Sequence, residues 1–166
     1  IICIRVEKGA SLSELDLNLT EDHTGEAVLG DFKVIDLAEG ASLSIVEDQP
    51  PAPANGLRND ATMIRLGQGA QLTHLSVDDG GARLGVHTRM IQMAADATYD
   101  ATFAQFGGSI TRNEIRIQMN GPHASANLRG AYLLAGDNHC DTTTVIDHNV
   151  PDCTSNQVLS LIHISE

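Results

Sequence analysis

Residues 35–41 read Ile-Asp-Leu-Ala-Glu-Gly-Ala, and residues 64–70 read Ile-Arg-Leu-Gly-Gln-Gly-Ala. The same Ile-x-aliphatic step occurs five times, as Ile4-x-Val6, Ile35-x-Leu37, Ile64-x-Leu66, Ile91-x-Met93 and Ile117-x-Met119, at spacings of 31, 29, 27 and 26 residues. The match runs on into the turn: Gly9-Ala10, Gly40-Ala41 and Gly69-Ala70 share one offset, Asp96-Ala97 replaces the pair in the fourth copy, and Gly121-Pro122-His123-Ala124 shifts it by one in the fifth. Eleven residues after each leading Ile stand Leu15, Val46, Leu75, Thr102 and Leu128, four of them apolar, a second position of the repeat.

β-branched residues two apart put Ile35 and Leu37 on one face of a strand and Asp36 on the other. A repeat of this length, with each copy burying its inner face only against its neighbours, is the mark of a solenoid. The Gly supplies a turn conformation that other residues adopt at a cost. An all-β, right-handed parallel β-helix of about five coils is therefore predicted. The Leu-x-x-Leu-x-Leu frame of leucine-rich repeats does not recur, there is no six-residue period, and no sustained 3.6-residue period indicates helix.

Composition agrees with this. The chain of 166 residues is long enough for one sizeable core, and with aromatics at 3% and no Trp that core is aliphatic. The formal charge of -12 is concentrated before residue 61, which holds 12 acidic and 4 basic residues. That balance excludes nucleic acid as a partner, because neutralising phosphates takes clustered Lys and Arg. No window approaches the roughly 18 to 20 apolar residues of a membrane helix and no signal peptide opens the chain, so no membrane is expected and the cytoplasm is the expected compartment. Cys3, Cys140 and Cys153 are odd in number and lack Cys-x-x-Cys spacing, which suits free thiols in a reducing compartment. Pro50-Pro51-Ala52-Pro53-Ala54-Asn55-Gly56 removes backbone donors and reads as a loop, within a break near 48–60, because the repeat resumes in register at Ile64.

Candidate chemistry gathers near the C-terminus. His139, Cys140, Asp141, His148 and Cys153 include every ligand type of a metal site, and His139, His148 and Cys153 are the metal candidates. Strand alternation over 141–149 opposes that role: Asp141 and Asp147 share one face, while His148 shares the other with Ile146 and is expected as a hydrogen-bonded core residue. Cys153 follows Pro151-Asp152 in a turn and is expected to be passive. His74 and His87 lie in strand-like segments separated by Gly80-Gly81, His23 and His123 lie near turns, and none carries an assigned role. There is no catalytic elbow, phosphate loop or dinucleotide fingerprint, so no catalytic residue is assigned.

Residues 130–157, GAYLLAGDNHCDTTTVIDHNVPDCTSNQ, resemble the SufB/SufD family of iron–sulfur cluster assembly scaffolds, and the SufD branch in particular. The residues that carry the resemblance are Gly130, Tyr132, Leu133, His139, Asp141, Ile146, Asp147, His148, Pro151, Ser155 and Gln157. The resemblance implies a SufD-like scaffold subunit without catalysis of its own, working with a SufB-like subunit and a SufC-like ABC-type ATPase. It implies no cofactor bound by this span, with an iron–sulfur cluster held transiently by the complex. The family's functional Cys and His, including a Cys-x-His-Gly motif, lie further toward the C-terminus; no Cys-x-His-Gly occurs here, so those roles are not carried to Cys153 or His148. Opening on Ile1 within an apolar alternation, the chain reads as a piece of a longer one. Residues 1–159 are taken as the partial β-helix core, and 160–166, which leave the family pattern, as a tail of doubtful origin. The competing class is a polysaccharide-acting β-helix enzyme, for which Asp141 and Asp147 would begin an acidic cluster.

Overall fold

The computed structural model of the chain describes residues 1–18, 28–49 and 55–164. They form thirteen strands: β1 (Ile2–Val6), β2 (Ser11–Asn18), β3 (Val28–Leu29), β4 (Phe32–Leu37), β5 (Ser42–Gln49), β6 (Leu57–Leu66), β7 (Gln71–Asp78), β8 (Leu84–Met93), β9 (Thr98–Phe106), β10 (Ile110–Met119), β11 (Ser125–Ala135), β12 (His139–His148) and β13 (Thr154–Ile164). One sheet runs β1-β4-β6-β8-β10-β12, with β3 also on β6, and the other runs β13-β11-β9-β7-β5-β2. All ladders are parallel, so the chain alternates between two facing sheets and makes a β-solenoid of about five turns. No helix among the described residues is long and apolar enough to cross a membrane.

The repeat seen in the sequence is the register of the first sheet. Ile4, Ile35, Ile64, Ile91 and Ile117 stack in one column and Ile146 adds a sixth member; Val6, Leu37, Leu66, Met93 and Met119 stack beside them. Ile35, Ile64, Ile91 and Ile117 are sealed inside, while Ile4 and Ile146 in the end coils are partly covered. Burial of such a side chain contributes about 1.5–3 kcal/mol relative to exposure, and here most of it comes from the coils above and below.

The turn residue repeats as faithfully. Gly9, Gly40, Gly69, Asp96, His123 and Asp152 all hold positive φ, between 59° and 68°. Each of the first four donates its N–H to the carbonyl just before the matching residue of the next coil, Glu39, Gln68, Ala95 and Pro122, at 2.8 to 2.9 Å. Ala41, Ala70, Ala97 and Ala124 follow, fully buried beneath the corner. The fifth turn is one residue longer, and Gly121 absorbs the difference: a Cβ there would sit 2.0 Å from the Ala95 nitrogen. On the opposite edge the number of residues between successive strands falls along the chain, over 19–27, 50–56, 79–83, 107–109 and 136–138, which accounts for the shrinking repeat.

One expectation is corrected. The position eleven residues after each Ile is not one column. Val46, Leu75 and Thr102 pair with one another on the outer face, whereas Leu15, Ile45, His74, Ala101 and Leu128 form the inward column. A bulge between Leu12 and Leu15 and the longer fifth turn shift the count at either end. Around the break read near 48–60, β5 continues to Gln49 and β6 begins at Leu57. Arg58 and Asp60 point inward, and that polar alternation concealed the strand. Residues 50–54 lie outside the described residues, as does His23. Residues 160–164 continue β13 in register with β11, from Ser160 on Ala131 to Ile164 on Ala135.

Gly69→Ala isolates the conformational term, since a Cβ there meets nothing within 4 Å. It should lower unfolding free energy by about 1–2 kcal/mol, whereas Gly67→Ala, whose Cβ would meet the Glu39 nitrogen at 2.8 Å, should cost more in the same denaturant titration. The outer coils make a second expectation. The β13 edge exposes Val158, Leu159, Leu161 and Ile162, and a flat apolar edge strand is a template for further pairing. Light scattering on the 166-residue chain should show concentration-dependent association that Leu161→Lys reduces, and a clean monomer at all concentrations would count against the open-ended stack.

Candidate functional site

From β6 onward the strands of the first sheet run ten residues, but only their C-terminal halves carry the apolar columns. Their N-terminal halves turn Arg58, Asp60, Thr62, His87, Arg89, Thr111 and Asn113 inward, against Glu47, Gln49, Ser76, Asp78 and Gln105 from the other sheet. The solenoid interior is thus half aliphatic and half a buried polar network.

The network has three linked parts. Lys33 and Glu47 form an ion pair across the sheets. Glu47 Oε2 lies 3.0 Å from His74 Nε2, and His74 Nδ1 lies 3.2 Å from the Tyr99 hydroxyl. In the second part, His87 is held between two carboxylates, with Nε2 3.0 Å from Asp78 and Nδ1 3.4 Å from Asp60. Arg58 approaches both acids at 3.9 Å. The Asp31 N–H donates to Asp60 at 3.1 Å and the Gly80 N–H to Asp78 at 2.8 Å. In the third part, Arg89 donates to Ser76 Oγ at 3.2 Å and to Asn113 Oδ1 at 3.5 Å, and its guanidinium carbon lies 4.6 Å from the Phe103 ring centre. Asn113 in turn donates to the Cys140 sulfur at 3.6 Å.

These partners set the protonation states. Burial works against ionisation of Glu47, but the His74 hydrogen bond and the Lys33 charge outweigh it and hold the carboxyl well below its ordinary range. Burial likewise opposes the charged forms of Asp60 and Asp78, and His87 overcomes it, keeping both below the usual carboxylate value. Burial works against the charged form of His87, but the Asp60 and Asp78 carboxylates on either side outweigh it and raise the imidazole above its ordinary value. Burial pushes the Tyr99, Tyr132 and Cys140 groups up, so these hydroxyls and this thiol keep their protons. An enclosed network of this kind positions strands; it offers no exposed nucleophile.

The signature residues lie in the last two coils and divide between the faces. Gly130 leaves room for Tyr132, whose hydroxyl would be 2.6 Å from a Cβ at that position. His148, Ser155 and Gln157 occupy inward positions that are apolar in earlier coils, where Met119, Ala126 and Leu128 stand. There His148 Nε2 lies 3.1 Å from Ser155 Oγ, and Thr144 donates to Gln157 at 2.7 Å. Being in the terminal coil, His148 is exposed despite sharing the Ile146 side. Pro151 opens the turn in which Asp152 takes positive φ, and the Cys153 thiol donates to the Gly121 carbonyl at 3.4 Å, in the column of buried alanines. Asp141 and Asp147 face outward, Asp141 beside Arg112 at 3.4 Å.

As a shared metal site, His139, His148 and Cys153 do not come together. His139 and His148 begin and end β12, roughly 30 Å apart at the rise of a strand. Among the described residues no group of three or more His, Cys, Asp or Glu is placed to hold an ion. The histidines that matter for the interior, His74 and His87, were passed over in the sequence because polar residues on alternate positions read as an outward face. The spacing of His74, Ser76 and Asp78 opposite Asp60 and His87 is the signal that could have exposed them.

The pH dependence of stability tests the network. Asp60 and Asp78 have depressed folded values, so their contribution is present above the ordinary value of 3.8 and lost as pH falls through the folded values. His87 has a raised folded value, so its contribution is complete below 6.5 and lost as pH rises through the folded value. Stability from this cluster should therefore peak between about pH 4 and 6.5. His87→Gln should remove the alkaline limb of a melting-against-pH series and cost roughly 3 kcal/mol or more by stranding two buried carboxylates; an unchanged profile would show that the imidazole carries no charge there.

Comparison with known proteins places this architecture. The family model for the SUF system FeS cluster assembly SufBD core domain matches residues 19–164. The iron–sulfur cluster assembly protein SufD of Escherichia coli (strain K12) is 26% identical over 127 residues, 75% of this chain and 30% of that protein. An iron–sulfur cluster assembly SufBD family protein of Mycobacterium leprae (strain TN) is 22% identical over 145 residues, 86% of this chain and 36% of that protein. The chain thus spans about a third of the length of these relatives. With the family model covering all but the first coil of the solenoid, the chain belongs to the SufBD core family of iron–sulfur cluster assembly proteins.

Proposed function

We propose that this chain is the structural core of a SufD-like scaffold subunit in a SufBCD-type complex, cytoplasmic, paired with a SufB-like subunit and driven by a SufC-like ABC-type ATPase. Its role in this span is architectural. The observation that carries the reading is the family match across residues 19–164 of a parallel stack. Such a stack is a rod rising roughly 4.8 Å per coil, stiffened by a full ladder on each face, and it fixes the distance between whatever binds at its two ends. The cluster is cargo of the complex: Cys140 is hydrogen-bonded inside and holds its proton, and Cys153 is committed to a turn carbonyl.

The enzyme alternative loses its starting point in the structure. Asp141 and Asp147 share the outer face but stand six residues apart along β12, roughly 20 Å at strand rise, and Asp141 is engaged by Arg112. Two carboxylates acting on one glycosidic bond need to lie within about 10 Å.

The test is affinity purification of the protein that carries this chain from its own cells, with identification of co-purifying subunits and assay of iron and acid-labile sulfide. A SufB-like subunit and an ABC-type ATPase should come with it, and iron and sulfide should be found with the assembled complex and not with this subunit alone. Recovery of neither partner from well-folded protein would reduce the relationship to shared fold.

A further inference from the structure

The outward face of the first sheet differs in charge from the chain as a whole. Across β1, β4, β6, β8, β10 and β12 its outward positions hold four cations, Arg5, Arg65, Arg112 and Arg116, and four acids, Asp36, Glu114, Asp141 and Asp147. The face is therefore neutral in a chain of formal charge -12, and two copies that repel one another elsewhere do not do so here. Its middle is apolar. Val34, Met63, Met90 and Val145 stand in one outward column, Met90 being 43% exposed. Met, Arg and aromatic side chains are the types enriched where proteins meet.

The order of the charges is complementary to itself. Arg5 lies beside Asp36 at one corner of the face, and Arg112 beside Asp141 at the diagonally opposite corner. A two-fold axis normal to the sheet, passing between β6 and β8 at the level of Thr62 and Arg89, turns β1 onto β12 and β4 onto β10 with strand direction reversed. Under that operation Asp36 falls on Arg112 and Arg5 on Asp141, and by symmetry both contacts occur twice. Met63 and Met90 fall on Thr88 and Ala61 about the axis, and Phe32 falls on Arg116. Glu114, which lands opposite Val34, remains paired with its own Arg112 at 2.8 Å.

We propose that the outward face of the first sheet binds a second copy of this chain, face to face about such an axis. Phe32, 42% exposed, then enters a cleft of about 310 Å³ on the other copy, lined by Met90, Arg116 and Val145 among others, where the Arg116 guanidinium can lie over its ring. This is a contact between faces and not an extension of the β13 edge. It rests on the outward columns alone and stands whether or not the scaffold reading holds.

Sedimentation equilibrium of the 166-residue chain carrying Leu161→Lys, which weakens pairing at the β13 edge, should show a monomer–dimer equilibrium. Asp36→Arg or Arg112→Asp alone should raise the dissociation constant about tenfold or more, because like charges then face each other at two symmetric places. The two substitutions together should bring it back to within about threefold. Within one chain these positions are roughly 25 Å apart by strand spacing and rise, beyond the range of screened charges, so the rescue acts only across the interface. A second reading needs no substitution on the face: oxidation of Met90 by hydrogen peroxide, followed by mass spectrometry, should slow severalfold as protein concentration passes the dissociation constant. Pairing at the β13 edge would leave that rate unchanged. A monomer at every concentration, a dimer indifferent to either charge reversal, a double variant no better than the single ones, or Met90 oxidation independent of concentration would each overturn the proposal.

Discussion

Every coil in this protein can bury its inner residues only against the coil above and the coil below, and that constraint governs the rest. It is why the Ile column is so regular, since each member is both knob and floor for its neighbours. It is also why the positive-φ turn recurs, because the N–H to carbonyl ladder at the corner holds successive coils in phase. Where the sequence departs from Gly at that corner, to Asp96, His123 or Asp152, the backbone conformation persists, so the stack imposes the turn on residues that would not choose it.

The polar half of the interior follows the same constraint with different chemistry. Apolar columns tolerate a slip of one coil against the next, since one aliphatic surface resembles another. The pairing of His87 with Asp78 across the sheets and with Asp60 on the adjacent strand does not. Replacing such a cluster with hydrophobic residues often raises stability, so its presence is better explained as fixing which strand faces which. The glycines around it serve that geometry: a Cβ on Gly85 would lie 3.4 Å from His87 Nε2, at the limit of contact.

Much of the architecture was legible because its determinants repeat. Ile35-Asp36-Leu37 with Gly40-Ala41 states strand, face and corner in seven residues, and later copies confirm it. The offset of eleven residues does not mark one column because alternation has a period of two, so the single-residue differences at the Leu12–Leu15 bulge and at Gly121 exchange inside for outside. The polar network was hidden for a related reason: His74, Ser76 and Asp78 alternate with Leu75 and Val77, and the apolar set looks like the core although it faces out. The signature residues could be recognised as a set, but their division into inward Tyr132, His148, Ser155 and Gln157 and outward Asp141 and Asp147 adds what a list of residues lacks: the last coil exchanges an aliphatic cross-section for a hydrogen-bonded one.

The two edges of the stack differ in a way that bears on how such a protein can change. Corners on one edge hold four or five residues, while connections on the other fall from nine, 19–27, to three, 107–109 and 136–138. The first edge acts as a reading frame. An added residue there displaces the corner from its ladder and has to be hidden at once, as Gly121 hides one beneath Ala95. The second edge is outside that frame, so chain can be inserted or removed without disturbing the count of any later coil. Lineages of this fold should therefore diverge in length along one side only, and new binding surfaces should be added there, leaving the spacing of the rod unchanged.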